Sequence, residues 1–363
     1  MKKALSIMFA LLLLFLLPAC GGEEDDYDGD TPSGGDGGNG DNGGWESQED
    51  QDYEILKTSG FTYIHSLVIG SNDTLYVGGT AQEESKKSDA FLVAFDTKGK
   101  ELWSKQWDYQ ESADTVTEVV ADKQGNIYVI GGYIPFVIKF ASDGTKIWEQ
   151  FPEFDRITSL ALDSQQNVYI SYDNEIVKYS ADGKKLRAYE IFEKSTITVL
   201  AIDSENNIYA GGRTSDSLFG ENVGKKDIFL IKLAPDGTQI WGEQWGTAAD
   251  DYVSSLIIDN DNKIYVDGYT YEESGIFVKF SSDGEKAWEI SQQCYFATIC
   301  NDNIYCINNN QIYKYNSNGE YLGNLVAYEA DSLERIACDN KENVYVSTKK
   351  STKIIKISSS EIK

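Results

Sequence analysis

Histidine, methionine and proline are scarce in this chain of 363 residues, which contains one, two and five of them, respectively. A single histidine excludes metal sites built from several imidazoles and most catalytic relays that depend on histidine. Basic residues are also few: 32 Lys and Arg stand against 59 Asp and Glu, for a formal net charge of −27. Phosphate binding requires a basic face, so this balance argues against nucleic acid as a partner. Apolar residues make up 41% of the chain, which is enough for a large core.

The N-terminus has the pattern of an export signal. Two lysines precede an apolar run at residues 4–17, which is short for a membrane span but typical of the central part of a signal peptide. The run ends in Ala19-Cys20 followed by two glycines, and this ending resembles the bacterial lipobox. The resemblance implies a signal peptide at residues 1–19 and a lipid anchor on Cys20; an ordinary cleaved signal with an incidental cysteine is the alternative. We therefore expect the protein in the cell envelope, anchored at the outer membrane on its surface-exposed or periplasmic side.

Residues 20–52 have the composition of a disordered tether. The segment 21–53 contains 12 acidic residues, ten glycines and no Lys or Arg. It has too little to bury to offset its ordering entropy, so we expect a flexible, self-repelling spacer. The Glu-Glu-Asp-Asp run at residues 23–26 resembles the acidic export tag of some surface lipoproteins, and plain tether acidity explains it equally well.

A pair formed by an aliphatic residue and a tyrosine recurs along the rest of the chain. Consecutive tyrosines of these pairs are 40 to 56 residues apart, the length of a four-stranded propeller blade. Within each repeat, short β-branched and aromatic runs alternate with Asn, Asp and Gly turns, and no helical period is present. The sequence therefore predicts an all-β, seven-bladed β-propeller of four-stranded antiparallel blades over residues 53–363. The seven tyrosines are Tyr76, Tyr128, Tyr169, Tyr209, Tyr265, Tyr305 and Tyr345.

The last repeat lacks a convincing fourth strand. Residues 53–58, just before the first repeat, have the pattern of the missing strand. We expect this N-terminal segment to pair in the last blade and close the ring, which removes two open sheet edges.

The stretch from Gly246 to Thr270, which includes Asp250-Asp251-Tyr252, resembles the bacterial seven-bladed β-propeller (SBBP-type) repeats found in secreted proteins and lipoproteins. A weaker resemblance, through a Gly-x-x-x-Trp pattern, is to quinoprotein-like (PQQ-like) propeller repeats. Both imply the propeller fold, and neither implies a single activity. The tryptophans of that pattern are Trp103, Trp148, Trp241 and Trp288.

Residues that recur in nearly every repeat are interpreted as framework. The tyrosines and tryptophans are expected to pack within and between blades. A lysine also recurs on the third strand, and we expect its stem to lie along the apolar blade faces instead of forming an anion-binding ring. The lysines are Lys139, Lys178, Lys232, Lys279, Lys314 and Lys356.

Candidate binding residues lie where the repeats differ. The connection between the second and third strands is long in repeats 1, 4 and 5, at residues 80–90, 213–227 and 270–275. In propellers this connection shares a face with the connections between blades, here 108–114 and 246–251, and we expect these insertions to form walls around the channel mouth. A tolerated surface insertion is the alternative. The candidate ligand-binding residues are Arg213, Phe219, Lys225, Lys226, Asp251 and Tyr271.

No residue is assigned a catalytic or metal-binding role, and no cofactor is expected. His65 is isolated in the sequence. The turn at residues 259–262 resembles the start of a calcium loop but lacks its downstream bidentate glutamate, so we interpret it as a plain hairpin. Four cysteines remain beside Cys20, and their pairing is open: three full disulfide pairings exist, and free buried thiols are the alternative. They are Cys294, Cys300, Cys306 and Cys338.

These observations predict a non-enzymatic, lipid-anchored, monomeric propeller that binds a protein, glycan or other ligand through its loop-rich face, or that serves as a scaffold in envelope assembly. The alternative is a propeller enzyme, either a quinoprotein-like oxidoreductase or a carbohydrate-active lyase or hydrolase. A pair of carboxylates performs acid–base catalysis without histidine, but no pair stands out by its spacing.

Overall fold

The computed structural model describes residues 46–47, 53–57, 62–81, 87–109, 113–270, 275–291, 294–326, 332–349 and 353–362. The predicted signal peptide, Cys20 and most of the predicted tether lie outside these ranges. Within them the chain is all β, apart from one short 3₁₀ helix, η1 (Ser359–Glu361). No helix in the described ranges is long and apolar enough to cross a membrane.

Two strands precede the first repeat, and they are β1 (Glu46–Ser47) and β2 (Tyr53–Lys57). Blade 1 consists of β3 (Tyr63–Ile69), β4 (Leu75–Ala81), β5 (Asp89–Phe95) and β6 (Glu101–Trp107). Blade 2 consists of β7 (Val116–Ala121), β8 (Ile127–Gly131), β9 (Phe136–Phe140) and β10 (Lys146–Gln150). Blade 3 consists of β11 (Ser159–Leu162), β12 (Val168–Tyr172), β13 (Glu175–Tyr179) and β14 (Lys185–Glu190).

Blade 4 consists of β15 (Ser195–Ile202), β16 (Ile208–Thr214), β17 (Asp227–Leu233) and β18 (Gln239–Trp245). Blade 5 consists of β19 (Asp251–Ile258), β20 (Ile264–Thr270), β21 (Gly275–Phe280) and β22 (Lys286–Ile290). Blade 6 consists of β23 (Phe296–Cys300), β24 (Asn303–Asn308), β25 (Gln311–Asn316) and β26 (Tyr321–Val326). Blade 7 contains β27 (Leu333–Cys338), β28 (Asn343–Thr348) and β29 (Lys353–Ser358).

The seven sheets form a closed ring. Each first strand contacts the first strand of the next blade, and β27 contacts β3 to complete the circle. Strand β2 pairs antiparallel with β29, with Ile55 opposite Ile355, and supplies the fourth strand of blade 7. The predicted seven-bladed propeller and its closure by the N-terminal strand are confirmed. Strand β1, inside the segment predicted to be a tether, pairs with β2 and makes this sheet five-stranded.

The first turn of a blade is fastened by its aspartate, as blade 3 shows. Oδ1 of Asp163 accepts hydrogen bonds from the amides of Gln165 and Asn167, at 3.0 and 2.8 Å. Its Oδ2 accepts one from the Tyr169 hydroxyl at 3.2 Å and one from Lys178 at 3.1 Å. The recurrent aspartate, asparagine and tyrosine therefore form one buried turn motif. Equivalent Asp–Tyr hydrogen bonds occur at Asp122, Asp203, Asp259 and Asp339.

The recurrent lysines and tryptophans join neighbouring blades. In blade 4, Trp241 Nε1 and Lys232 Nζ both donate to the carbonyl of Ser282 in blade 5, at 3.2 and 3.0 Å. The Lys232 ammonium also lies 5.0 Å from the ring centre of Tyr209. The same cation–π contact recurs in five blades, so these lysines are structural, as the sequence indicated. The lysines are Lys139, Lys178, Lys232, Lys279 and Lys314.

The four cysteines in blades 6 and 7 form two disulfides. Cys294 pairs with Cys306 at a Cα–Cα distance of 5.5 Å, which fastens the entry of blade 6 to its second strand. Cys300 on β23 pairs with Cys338 on β27 at 6.3 Å, which joins the inner strands of two blades. This is one of the three full pairings that the sequence leaves open.

Candidate functional site

The connections between blades and those between second and third strands lie on one face of the ring, called here the loop-rich face. Backbone hydrogen bonds join the two kinds of connection: the Ile191 amide donates to the Asn174 carbonyl at 2.8 Å, and the amide of Asp251, where blade 5 begins, donates to the Lys226 carbonyl at 2.9 Å. The insertion of blade 4 therefore lies on the same face as the inter-blade segment 246–251; residues 82–86 and 271–274 of the other two insertions lie outside the described residues.

Arg213 begins a row of side chains that crosses three blades on this face. Its guanidinium lies 4.7 Å from the ring centre of Tyr252 in blade 5. The Tyr252 and Tyr269 rings are nearly parallel, with centres 5.0 Å apart, and Tyr269 lies 6.1 Å from Tyr295 at the entry of blade 6. Nε of Arg213 is buried and, within the described ranges, lacks a hydrogen-bond partner. We call Arg213, Tyr252, Tyr269 and Tyr295 the tyrosine stack.

The sequence does not identify three members of the tyrosine stack, Tyr252, Tyr269 and Tyr295, as candidate binding residues. Tyr269 on β20 occupies the register position that Arg213 occupies on β16, so the two repeats differ at one column of the same face. Tyr252 follows the acidic pair of the best-matching repeat and belongs to the repeat motif there. A comparison of repeats column by column would have marked Tyr269, but nothing in the spacing indicates its contact with Tyr295.

Phe219 points away from the channel mouth. Its ring packs against Phe192 at a centroid distance of 5.4 Å, and its edge covers Gly242 on the outermost strand of blade 4. A Cβ added to Gly242 would lie 2.3 Å from the Phe219 ring. The Gln244 side chain accepts hydrogen bonds from the amides of Leu218 and Phe219, at 2.7 and 3.3 Å. At this residue the insertion of blade 4 therefore folds onto its own blade, unlike the expected wall around the channel.

The remaining candidates of blades 4 and 5 have separate environments. Lys225 is exposed, and Lys226 is half-buried beside Asp250, with which it forms a parallel β-bridge. Both lysines keep the binding role as a prediction. Tyr271 lies outside the described residues.

Asp251 is wholly buried and fastens the inter-blade connection. It accepts hydrogen bonds from the amide and hydroxyl of Thr247, at 2.7 and 3.0 Å. A Cβ at Gly246 would lie 2.5 Å from Asp251 Oδ2 and 2.7 Å from Asp227 Oδ1, so both carboxylates close around this glycine. Burial, and secondarily the Asp227 carboxylate, raises the pKa of Asp251. Its present contacts are those of a structural residue.

Blade 1 repeats this arrangement, which supports the structural reading. The Gln106 side chain donates to Asp89 at 2.7 Å, as Gln244 donates to Asp227 at 3.2 Å. Asp114, equivalent to Asp251, is also wholly buried and accepts a hydrogen bond from the Tyr109 amide.

His65, the single histidine, is held at the inner edge of the same face. Its Nε2 lies 3.1 Å from Thr80 Oγ1, and Thr80 donates its own hydroxyl hydrogen to Thr115 at 2.7 Å. Nε2 therefore carries the hydrogen in this bond. Burial, reinforced by the nearby Arg335, lowers the pKa of His65 to about 4. The imidazole is neutral at neutral pH and only weakly basic.

The turn that resembles the start of a calcium loop is a hairpin. Oδ1 of Asp259 accepts hydrogen bonds from the amides of Asp261 and Lys263, at 2.9 and 2.8 Å, and Oδ2 accepts one from Tyr265. Both carboxylate oxygens are thus used by the turn itself. Across the part of the chain that the structure describes, no group of three or more His, Cys, Asp or Glu side chains is placed to hold a metal.

The fold defines the class of protein to which this chain is similar. No protein-family model and no curated protein matches the sequence. Virginiamycin B lyase from Staphylococcus aureus, solved as a catalytically inactive variant with quinupristin, aligns with a TM-score of 0.64 and 13% identity, over 84% of this chain and 98% of that one. A chain of the mitotic checkpoint complex aligns with a TM-score of 0.64 and 11% identity, over 93% and 99%. The Pan2 WD40 domain of Neurospora crassa aligns with a TM-score of 0.58 and 12% identity, over 81% and 89%. At such identities the similarity shows the seven-bladed propeller fold alone.

Proposed function

We propose that this protein is a non-enzymatic binding propeller of the cell envelope, which binds a protein partner through the tyrosine stack on its loop-rich face. The observation that carries the proposal is the stack itself. Arginine and tyrosine are the residue types that dominate binding energy at protein interfaces. Here one arginine and three tyrosines from three blades hold one another in place.

The geometry of the stack suits a preformed interface. Each ring contacts the next at 5.0 to 6.1 Å, so the side chains lose little further freedom when a partner binds. The occurrence of a similar propeller within a mitotic checkpoint complex supports this use of the fold.

Attachment to the membrane through Cys20 is part of the proposal. Its support is the export pattern of residues 1–19 and the acidic, glycine-rich segment that follows. Metabolic labelling with a fatty-acid analogue tests it directly: the wild type should carry the label and Cys20→Ser should not. Protease treatment of intact cells then separates the two expected locations, because only a surface-exposed propeller is lost.

A propeller enzyme is the alternative, because one of the similar structures is a lyase. The single histidine has a pKa of about 4 and is bonded to Thr80, which makes it a poor general base at neutral pH. Turnover in a screen of quinone cofactor with calcium, or of glycan substrates, would overturn the non-enzymatic part of the proposal.

Capture from solubilised envelopes tests the binding role. The immobilised wild type is compared with the double variant Arg213→Gln, Tyr295→Ala and with a control, Tyr321→Ala, which removes an exposed tyrosine from the outermost strand of blade 6. We expect at least one protein to be retained by the wild type and the control but lost about tenfold from the double variant, provided that all three unfold at similar temperatures. Equal capture by all three would contradict the assignment of the site.

A further inference from the structure

A second recess lies on the loop-rich face, between blades 2 and 3 and away from the tyrosine stack. We call this cavity of about 320 Å³ the notch. Its volume is at the lower end of the range of small-molecule sites, which is about 300 to 1,000 Å³. Its polar and aromatic lining comes from the start of β7, the connection between β8 and β9, and the entry of blade 3. The lining residues used below are Thr115, Thr117, Gly132, Tyr133, Asp155 and Arg156.

The short connection of blade 2 borders the notch. Residues 132–135 separate β8 from β9, whereas residues 215–226 separate the equivalent strands of blade 4. The tight turn requires Gly132, which has a φ of +87°. A Cβ at this position would also lie 2.3 Å from the Ile134 carbonyl oxygen. Gly132 therefore shapes the turn at the edge of the notch.

Tyr133 offers an aromatic surface at the edge of the notch. Its side chain is 78% exposed, the largest exposure among the large hydrophobic residues that are described. Within the described ranges its ring has no aromatic or hydrogen-bond partner, in contrast to the rings of the tyrosine stack. An exposed ring beside a recess is free to pack against the C–H face of a ligand.

The polar groups of the notch include both hydrogen-bond donors and acceptors. Thr117 donates its hydroxyl hydrogen to the Ile130 carbonyl at 3.2 Å, and Thr115 receives the hydroxyl of Thr80 at 2.7 Å. These bonds orient the two hydroxyl groups. Asp155 and Arg156 are exposed and supply a carboxylate acceptor and a guanidinium donor from adjacent positions. Planar charged groups of this kind form paired hydrogen bonds with neighbouring hydroxyls.

We infer that the notch binds a neutral sugar residue of a glycan. An aromatic face, oriented hydroxyls and charges of both signs match a pyranose, which has an apolar C–H face and a rim of hydroxyl groups. A carboxylate in the recess and a net charge of −27 on the chain disfavour an acidic ligand, and the guanidinium disfavours a cationic one. The inference goes beyond the proposed function, because a different part of the face and a different ligand class are involved.

An oligosaccharide panel tests the inference on the full-length chain, purified in a detergent without a sugar headgroup. The panel contains neutral fragments of glucans, xylans, mannans and galactans, N-acetylglucosamine oligomers, and acidic fragments of pectin and heparin. The best binder is then titrated calorimetrically against Tyr133→Ala, Arg156→Ala and the control Tyr321→Ala. We expect a neutral oligosaccharide to bind best, with about tenfold weaker binding to Tyr133→Ala and unchanged binding to Tyr321→Ala.

Three results would overturn the inference: no oligosaccharide in the panel binds, an acidic one binds best, or Tyr133→Ala binds as tightly as the wild type. If Tyr133→Ala instead loses a captured protein while no glycan binds, the notch belongs to a protein interface and the ligand class is wrong. The double variant Arg213→Gln, Tyr295→Ala keeps the two proposals apart, because it should retain full glycan binding whether or not the tyrosine stack binds a protein.

Discussion

Arg335 in the last blade donates a hydrogen bond from Nε to the backbone carbonyl of His65 in the first blade, at an N···O distance of 2.5 Å. Its guanidinium also lies 4.1 Å from the ring centre of Phe296 in blade 6. Inside the ring it is attracted to the buried carboxyl of Glu118 in blade 2. The Arg335 side chain thus connects the last blade to the first, where the ring closes.

Replacement of this arginine should destabilise the ring. Arg335→Met removes the donor to the His65 carbonyl and the guanidinium over the Phe296 ring, and the loss of one buried hydrogen-bond partner costs about 2 kcal/mol. Urea unfolding measures the change. Arg187→Met, the same substitution at an exposed arginine on β14, should change the free energy of unfolding by about 0.5 kcal/mol or less. Equal losses in the two variants would show that the internal contacts of Arg335 are unimportant.

The buried carboxyl of Asp267 predicts a loss of stability as the pH rises. Burial raises its pKa to about 7, although it accepts a hydrogen bond from Ser255. The folded state therefore holds this proton more tightly than the unfolded state, whose carboxyl titrates near its ordinary value of about 4. The contribution is fully present below the unfolded pKa and is lost as the pH rises through about 7, by an amount on the order of 4 kcal/mol.

Asp267→Asn isolates this contribution, because the amide has no proton to lose. The free energy of unfolding of the wild type should fall relative to the variant between about pH 4 and about pH 7. Glu118, whose pKa burial raises to about 7, accounts for a slope of the same sign that remains in the variant. His65 acts in the opposite direction: its pKa is lowered to about 4, so its contribution is lost as the pH falls below about 6.5. Parallel curves for wild type and variant would contradict the prediction.

Phe219 and Lys225 lie in the same insertion but should respond differently to replacement. Phe219→Ala removes a half-buried ring from its contacts with Phe192 and Gly242, and should lower the free energy of unfolding by about 2 kcal/mol. Lys225→Ala alters an exposed side chain and should be neutral within about 0.5 kcal/mol. Chemical denaturation of both variants is the measurement. A neutral Phe219→Ala would mean that the insertion does not rest on blade 4.

The disulfide between Cys300 and Cys338 should stabilise the ring, because it joins the inner strands of blades 6 and 7. The double variant Cys300→Ser, Cys338→Ser should lose about 2 to 4 kcal/mol relative to the oxidised wild type. Thiol titration of the denatured, unreduced protein provides the check on pairing. With Cys20 replaced by serine, we expect no free thiol before reduction and four after it; free thiols before reduction would contradict the pairing.

The ring was predictable because its signals are local and repeated. Five of the seven tyrosines follow a turn that an aspartate such as Asp163 fastens. Asp163 and Tyr169 are only six positions apart, so this feature is visible as a local repeat in the sequence. The short last repeat identifies residues 53–58 as the closing strand.

The candidate site was less predictable because its contacts join separate blades. The distance from Tyr269 to Tyr295 depends on how two sheets twist against each other, and the sequence contains no period for that relationship. The sequence also does not show in which direction an insertion folds. Phe219 is apolar, and its ring packs over Gly242, which has no side chain to occupy that space. The sequence predicts Asp251 to be a ligand-binding residue. Its burial depends on how closely it approaches the backbone at Gly246, and composition does not reveal that approach.

Site-specific photocrosslinking in living cells tests the central claim, that the tyrosine stack is the partner-binding site. A photoreactive phenylalanine derivative is introduced at Tyr295, and in a second strain at Tyr321. The account predicts a discrete crosslinked protein from the Tyr295 position that is absent from the Tyr321 position and disappears when Arg213→Gln is added. No crosslinked protein at Tyr295, or the same products from both positions, would contradict it.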